Sequence, residues 1–377
     1  MGDDRPRFRV SRMDFPTSYQ ESKKIFESML CNSEHARWSY RCPEEGPGGD
    51  LLTVDVARLG PARATSLLVI STGLHGVEGP VGMPMLQIAH QQMVRRRSDA
   101  VGLLMIHALN PFGFAWSRRQ DQEGIDLNRN FLLNGEKYQG SAGVYQKMDL
   151  WLNPPSPPRR DAFTIRTVGR VLRHGFRATK QAIVEGQYDF PRGLFYGGSR
   201  NSWVMKLLAS NWQGWVGDAK QILHLDAHSG LGPWGKLQLL GEAQQTSSDH
   251  RKLTHCFPKQ AKDFSLGAPV HYHARGGLGR WCGQQLPTKD YRYFCAEFGA
   301  YGPLKTLAAL REEQRLWEWG QHERRHQSRY RETFREIFCP QSPRWRKAVV
   351  DQSIEVIHNS LKYLGEEGSG EDGPTVF

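Results

Sequence analysis

The sequence has no pair of cysteines in a CxxC arrangement, no long apolar run and no apolar signal core near its start. Its apolar stretches fall short of the roughly 18 residues that a transmembrane helix needs. The six cysteines are scattered along the chain, so they do not suggest a disulfide framework. These absences predict a reduced, cytoplasmic protein that does not cross a membrane.

The composition, in contrast, indicates a folded chain with a sizeable core. Hydrophobic residues make up 38% of the 377 residues and charged residues 24%. The 11 tryptophans, 12 tyrosines and 17 phenylalanines argue against intrinsic disorder. We expect residues 1–364 to form a single α/β domain with helical extensions at both ends, and residues 365–377 to form a disordered tail.

The net charge of +11 raises the question of nucleic-acid binding. The basic residues are spread out, and their densest cluster, residues 311–335, is interleaved with glutamates. This pattern is typical of a solvated helix with many ion pairs. Nucleic acid is therefore not the expected partner, although the surplus charge would attract an anionic substrate.

Apolar periodicity predicts alternating strands and helices. Residues 67–72 and 101–109 are typical of buried strands, and a helical spacing over 81–97 separates them. This order favours parallel strands joined by crossover helices. We therefore predict an α/β fold with a mixed, mostly parallel central sheet and helices on both faces. The other predicted segments are strands at 221–227 and 291–298, helices near 16–31, 161–185, 304–338 and 344–363, a turn near 42–49 and a loop from 110 to 143.

Polar side chains follow four of the predicted strands. They are His75, Asn110, His228 and Glu297, each near a glycine-containing turn. In open α/β sheets, ligand sites form just beyond the carboxyl ends of the strands. We expect these four residues to gather at one edge of the sheet.

Two histidines and a glutamate could hold a metal ion. His75 and Glu78 lie three residues apart on a turn, and zinc accepts nitrogen and oxygen ligands of this kind. The HxxE motif is weak by itself, since a capping glutamate beside a turn histidine would look the same. His228 could supply the third ligand. His224, on the same side of the predicted strand, is an alternative, although a deeper histidine is more often part of the core.

The segment GIDLNRNF, residues 124–131, has the composition of an anion-binding loop. Arg129 could bind a carboxylate through two parallel hydrogen bonds, with Asn128 beside it. Asp126 could orient a ligand histidine. The alternative is a polar loop whose Asp and Asn side chains satisfy its own turns.

A carboxylate ends the apolar strand that contains CAEFG. Burying Glu297 there is costly unless it has a role, and a general base for a metal-bound water would be one. The alternative is that Glu297 pairs with a buried arginine.

The order of these motifs resembles that of the zinc carboxypeptidase superfamily, which includes succinylglutamate desuccinylase and aspartoacylase. The corresponding segments are STGLHGVEG, NPFGFAWSRR, GIDLNRNF, LDAHSGLG and CAEFGAYG, over residues 67–303. Together with HSGLGPWG and GLFYGG, the set looks most similar to a bacterial branch known only as a domain of unknown function.

This resemblance implies a metallohydrolase domain with the zinc carboxypeptidase fold. It implies one Zn²⁺ ion, with His75, Glu78 and His228 as its ligands, and Glu297 as the general base. Asp126 would correspond to the aspartate that orients a ligand.

The resemblance also implies substrate contacts. Asn128 and Arg129 would bind the terminal carboxylate of the substrate. Arg118 or Arg119 would stabilise the oxyanion; the sequence permits either register, and Arg118 is slightly preferred.

The chain departs from the superfamily at two points. Phe112 replaces the usual Asp of the NPDG motif. The tyrosine that covers the substrate also has no clear counterpart. Tyr196 is the candidate for this substrate-binding role, and Tyr188 and Tyr301 are alternatives. Both departures bear on peptidase activity more than on metal-dependent hydrolysis.

The expected function is hydrolysis of an amide bond next to a free carboxylate, in a small peptide or an acyl-amino acid. A carboxypeptidase-like peptidase and an N-acyl amino-acid deacylase both need a carboxylate anchor, so Asn128 and Arg129 do not separate them. A non-catalytic binding protein on the same scaffold is the alternative of another class. A general base at Glu297 argues against it, because a site used only for binding needs none.

Overall fold

The protein is described from a computed structural model. The structure describes residues 13–31, 35–96, 100–159, 185–241, 247–260, 274–320 and 324–365, together with residues 161, 163, 167 and 181. Among these residues, none of the helices combines the length and the apolar character that crossing a lipid bilayer requires.

A seven-stranded sheet organises the described part of the chain. The strands are β1 (His35–Glu45), β2 (Leu51–Leu59), β3 (Ser66–Thr72), β4 (Val101–His107), β5 (Gln221–Ser229), β6 (Leu237–Gly241) and β7 (Asp290–Phe298). Their spatial order is β1-β2-β4-β3-β5-β7-β6. The four central strands β4, β3, β5 and β7 are parallel neighbours. The strand pairs β1–β2, β2–β4 and β6–β7 are antiparallel.

Helices cover both faces of this sheet. The described helices are α1 (Tyr19–Met29), α2 (Gly79–Arg95), α3 (Pro111–Trp116), α4 (Gly143–Leu152), α5 (Trp203–Val216), α6 (Ser247–Cys256), α7 (Leu278–Gln284), α8 (Pro303–Trp319), α9 (Arg324–Phe338) and α10 (Pro343–Gly365). Side chains of α1, α2, α6 and α10 share one core cluster with the strands, among them Phe26, Leu86 and Ile357. The other cluster joins the strands to α5 and α7, for example through Trp212 and Trp281. The predicted mixed, mostly parallel α/β sheet with helices on both faces is therefore confirmed.

The four strands predicted from apolar runs are present. All residues of β3 and β4 are buried, as expected for strands covered on both faces. The helical pattern over 304–338 corresponds to two helices, α8 and α9, because α8 ends at Trp319 and Gly320 follows it. The predicted helix over 161–185 and the predicted tail lie almost wholly outside the described residues.

Among the described elements, three strands (β1, β2 and β6) and five helices (α3 to α7) were not predicted. The segment near 42–49, interpreted as a turn, begins inside β1, and only its later part connects β1 to β2. β1 and β2 form one edge of the sheet, and β1 carries many polar and exposed residues. An edge strand with a wetted face lacks the continuous apolar run that marks a central parallel strand, so its sequence gives a weaker signal.

Candidate metal centre

Three side chains from two chain segments meet at the carboxyl ends of β3 and β5. His75 and Glu78 lie on the turn after β3, and His228 lies near the end of β5. The Nδ1 atom of His75 is 3.0 Å from Oε1 of Glu78. The Nδ1 atom of His228 is 2.9 Å from Oε2 of Glu78 and 3.2 Å from Nδ1 of His75. Three groups that can bind a metal ion therefore converge on one point.

The opposite nitrogen of each imidazole faces a buried aspartate. Nε2 of His75 lies 3.2 Å from Oδ1 of Asp126, and Nε2 of His228 lies 2.6 Å from Oδ2 of Asp226. A carboxylate accepts hydrogen bonds, so each Nε2 carries the proton and donates it. Each Nδ1 faces an oxygen of Glu78 and can carry a second proton there, and a bound ion would replace that proton and leave only Nε2 protonated. This tautomer is the one a metal-binding histidine needs.

The centre also contains an excess of negative charge. Glu78, Asp126, Asp226 and Glu297 are all at most 5% exposed. Burial alone would raise the pKa of Glu78, but His75 and His228 outweigh this effect and hold the pKa below its usual range. Burial disfavours a charge on His228, but Asp226 and Glu78 outweigh it and raise its pKa well above the usual value. Without an ion, protons on the histidines balance the negative charge of the carboxylates. A bound divalent cation would supply the same positive charge, so the side chains fit such an ion.

A tight turn brings His75 and Glu78 to this point. Residues Gly76–Glu78 form a short 3-10 turn between β3 and α2. A Cβ atom on Gly76 would lie 2.0 Å from the carbonyl carbon of Gly113, so only glycine permits α3 to pack here. Backbone groups add to the support, since Ser229 N donates to Glu78 (3.1 Å) and Val77 N donates to the carbonyl of Arg118 (2.8 Å).

Glu297 lies beside the three side chains, opposite His228 in the pairing of β5 with β7. Its Oε1 atom accepts a hydrogen bond of 2.7 Å from Leu231 N. Potential ligand atoms of Glu297, His228 and Cys295 all lie within 4.8 Å of one another. Burial, followed by the negative charge of Glu78, raises the pKa of Glu297 to about 7. A carboxylate with this pKa can exchange a proton near neutral pH.

The two neighbouring arginines have different surroundings. Arg118 points away from the centre, where its Nε donates to Glu313 (2.7 Å) and its guanidinium lies 4.0 Å from the ring centre of Trp317. Arg119 points into the centre, with its Nε 2.9 Å from Oδ2 of Asp126 and its Nη1 3.3 Å from Oε1 of Glu78. In this structure the slightly preferred Arg118 is therefore held by α8, and Arg119 is the guanidinium directed at the centre. Asn110 supports Arg119 by donating to its carbonyl (3.2 Å) while it caps α3.

The segment GIDLNRNF packs beside His75. Asn128 N donates to the same Asp126 oxygen that His75 contacts (3.2 Å), and Oδ1 of Asn128 accepts from Leu278 N (3.1 Å). The side chain of Arg129 is 1% exposed, and its Nη1 donates to the carbonyl of Asn128 (2.7 Å). These residues are therefore close to the predicted ligands.

The three candidate tyrosines lie in different environments. Tyr196 is 7% exposed and belongs to the core cluster on the α5 side, and its carbonyl accepts from Asp126 N (2.8 Å). The hydroxyl of Tyr188 donates to the carbonyl of Arg129 (2.7 Å). The hydroxyl of Tyr301 bonds to Glu336 (2.8 Å), on α9. Of the three, Tyr196 and Tyr188 pack against the segment that carries Asp126 and Arg129.

His224, the alternative ligand, does not reach Glu78. It forms hydrogen bonds with Ser71 and Tyr291, each 2.7 Å long. Burial lowers its pKa to about 4, as expected for a neutral histidine in the core. Asp226, which the strand alternation places on the same side as His224 and His228, was not singled out from the sequence. The signal was present in the spacing DxH, but only the structure shows that the carboxylate meets His228.

Comparison with known proteins places the chain in a family. The sequence model of the family described as "Protein of unknown function (DUF2817)" matches residues 15–352. The chain belongs to the DUF2817 family. This confirms the resemblance to a family of unknown function. No curated protein matches the chain.

Several solved structures match the DUF2817 chain at low sequence identity. Thrombin activatable fibrinolysis inhibitor is 13% identical, with a TM-score of 0.45, and the match covers 91% of this chain and 74% of that one. A metallo-carboxypeptidase from Pseudomonas aeruginosa, solved with (2-guanidinoethylmercapto)succinic acid, is 13% identical, with a TM-score of 0.42 over 93% and 70% of the two chains. A metallo-carboxypeptidase from Burkholderia cenocepacia is 12% identical, with a TM-score of 0.41 over 80% and 68%.

Proposed function

We propose that this DUF2817 chain is a zinc-dependent hydrolase that cleaves an amide bond next to a free carboxylate, within one hydrolase domain. The observation that carries the proposal is the convergence of His75, Glu78 and His228, with Glu297 beside them. A binding site for a metal ion alone would not need a further buried carboxylate whose pKa lies near 7.

The spacing of the three groups supports zinc as the ion. Tetrahedral zinc with bonds of about 2.0 to 2.2 Å separates neighbouring ligand atoms by about 3.3 to 3.6 Å. The corresponding atoms of His75, Glu78 and His228 lie 2.9 to 3.2 Å apart. Only a small outward movement is needed to admit the ion. Two imidazoles and one carboxylate also leave coordination positions open for water and substrate, as in catalytic zinc sites.

The surrounding side chains supply the remaining chemistry. Bound zinc would lower the pKa of a water molecule and polarise the scissile carbonyl. Glu297 takes the proton of the attacking water and returns it to the leaving amine. Arg119, already directed at the centre, stabilises the negative charge that develops on the carbonyl oxygen. Asp126 and Asp226 hold the two imidazoles in the tautomer that binds the ion.

Asn128 and Arg129 are the proposed anchor for the substrate carboxylate. The Oδ1 atom of Asn128 already accepts from Leu278 N, so its amide NH₂ group is the part that can donate to a ligand. A guanidinium next to it adds charge and directional hydrogen bonds. The substrate class is therefore a small peptide or an acyl-amino acid, with Tyr196 as the candidate for covering it.

The decisive experiment combines metal analysis with a substrate screen. The purified protein should contain about one zinc per chain, removed by a chelator together with activity and restored by added Zn²⁺. Dipeptides and N-acyl amino acids are then compared, because release from the former indicates a peptidase and release from the latter a deacylase. Well-folded protein that takes up no zinc would instead favour a non-catalytic binding protein.

A further inference from the structure

A chain of hydrogen bonds leads from the metal centre into the core. Asp226 accepts from His228 Nε2 (2.6 Å) and from the hydroxyl of Ser71 (2.6 Å). Ser71 also contacts Nε2 of His224 (2.7 Å), and Nδ1 of His224 contacts the hydroxyl of Tyr291 (2.7 Å). The chain therefore links five side chains from β3, β5 and β7.

The direction of every proton in this chain is fixed by its neighbours. Ser71 has a single proton and donates it to Asp226, so its oxygen must accept from His224. His224 then carries its proton on Nε2, and its Nδ1 accepts the proton of Tyr291. This arrangement requires a neutral His224, and burial lowers its pKa to about 4. No alternative tautomer satisfies all of these contacts.

Strand geometry explains why these side chains meet. Alternation along β5 places His224, Asp226 and His228 on one face, at successive levels of the sheet. Ser71 pairs directly with Asp226 across the β3–β5 ladder, and Tyr293 pairs with His224 across the β5–β7 ladder. Tyr293 adds a further donor to Asp226 (3.1 Å). The hydrogen bonds of Asp226 and Ser71 are buried, where competing water is excluded, and only the last contact, with the half-buried Tyr291, lies nearer the surface.

We propose that Ser71 and His224 are positioning residues for the metal centre, which act through Asp226 to hold His228 with its Nδ1 facing the ion. The inference rests on the proposed function, since it needs a bound metal. It extends that function by two side chains, Ser71 and His224, that touch neither metal nor substrate. Loss of Ser71 removes a donor to Asp226, and loss of His224 leaves the Ser71 hydroxyl free to turn away from Asp226. Each change weakens the hold of Asp226 on the imidazole, and outer partners of this kind contribute about 10- to 100-fold to metal affinity.

The test measures Zn²⁺ affinity by competition with a chelator, with Co²⁺ absorption as a second readout of ligand geometry. His224→Phe and Ser71→Ala should each lower the affinity by about 10- to 100-fold and alter the Co²⁺ spectrum. His224→Gln should retain most of the affinity, because its amide N–H can donate to Ser71. If His224 only stabilised the fold, His224→Gln would not restore the Zn²⁺ affinity in this way.

His107 provides the matched control. It is also a buried histidine at a strand end, and its Nε2 bonds to Ser22 (2.8 Å). His107→Phe should lower stability and leave the Zn²⁺ affinity and the Co²⁺ spectrum unchanged.

The possible outcomes separate the two proposals. Unchanged affinity in His224→Phe and Ser71→Ala, or an equal loss in His107→Phe, would overturn the positioning role while the proposed function stands. A wild-type protein that binds no Zn²⁺ would instead remove the proposed function. If His224→Phe does not fold, Ser71→Ala decides the matter, since it deletes only one buried hydroxyl.

Discussion

Two regions of the molecule bury histidines at strand ends, and they differ in what surrounds the rings. At the metal centre, His75 and His228 face the same carboxylate, and a further aspartate holds each ring from behind. At the end of β4, His107 is stacked between Phe26 and Tyr19, with ring centres 5.2 and 5.9 Å away. Both regions are almost inaccessible to water.

The two regions differ in the groups to which the nearest carboxylate is hydrogen-bonded. Asp55 pairs across the sheet from His107, but its oxygens bond to Ser39 (2.6 Å) and Thr53 (2.7 Å). Burial therefore dominates, and it lowers the pKa of His107 to about 4. At the centre, carboxylates in direct contact raise the pKa of His228 instead. Burial alone makes a neutral core histidine, whereas converging carboxylates make a cation site.

The largest expected effect comes from removing a ligand. His75→Ala should abolish zinc binding at stoichiometric metal and with it all metal-dependent turnover, because two ligands rarely hold catalytic zinc. His107→Ala deletes an equally buried ring and should keep about one zinc per chain. Metal content after gel filtration checks both. Zinc bound normally by His75→Ala would contradict the assigned ligand set.

Replacing the proposed base should separate chemistry from metal binding. Glu297→Gln is expected to lower kcat by about 10²- to 10⁴-fold, since it removes proton transfer from the attacking water. Zinc content should stay at the wild-type level because Glu297 is not one of the three ligands. Steady-state kinetics and metal analysis on one preparation check this. Near-normal turnover would remove Glu297 from its role.

The adjacent arginines offer a third comparison. Arg119→Met should lower kcat by about 10²- to 10³-fold, the usual loss when an oxyanion donor is removed. Arg118→Met leaves Glu313 buried without its partner, so it should destabilise the protein by about 3 to 5 kcal/mol. Turnover per folded Arg118→Met molecule should stay close to wild type. Kinetics together with urea unfolding distinguish the two, and the reverse pattern would restore Arg118 as the oxyanion residue.

The smallest expected effect is the pH dependence of stability that arises from His107. The pKa of His107 is about 4 in the folded protein, and its ordinary value of 6.5 applies to the unfolded chain. As the pH falls, the unfolded chain therefore takes up the proton first. Its contribution to stability is complete above pH 6.5 and is lost between pH 6.5 and about 4. His107→Gln should reduce the slope of the unfolding free energy in that range by about 1.4 kcal/mol per pH unit.

This last prediction is checked by urea unfolding of chelator-treated protein at several pH values. An unchanged slope in His107→Gln would show that His107 is not held neutral by burial, and the contrast with the metal centre would then lose its electrostatic basis.

Much of the fold was predictable from local patterns. The central strands β3, β4, β5 and β7 are apolar runs of the expected length, and their polar ends mark the edge where the site lies. β1 and β6 were missed because they pair antiparallel at the two edges of the sheet, where one face can stay polar, and β2, which lies between β1 and β4, was missed because polar residues such as Asp55 interrupt its apolar run. Polar residues within these strands interrupt the apolar pattern, so the sequence alone does not reveal them as strands.

The choice between neighbouring candidates could not be made from the sequence. Arg118 and Arg119 are identical in type and adjacent, and only the packing of α8 against α3 decides which guanidinium faces the metal centre. For His224 and His228, which share one face of β5, the sequence favoured His228 as the ligand, and the structure shows the partners of each. Their roles differ because Glu78 reaches one and Ser71 the other.

The sequence by itself determined which residues stand at the strand ends, because alternation and apolar runs follow from local backbone geometry. Tertiary structure alone decided which nitrogen of each histidine faces inward. That choice depends on Asp126 and Asp226, carboxylates whose positions relative to the rings are set by the sheet register and by the turn after β3.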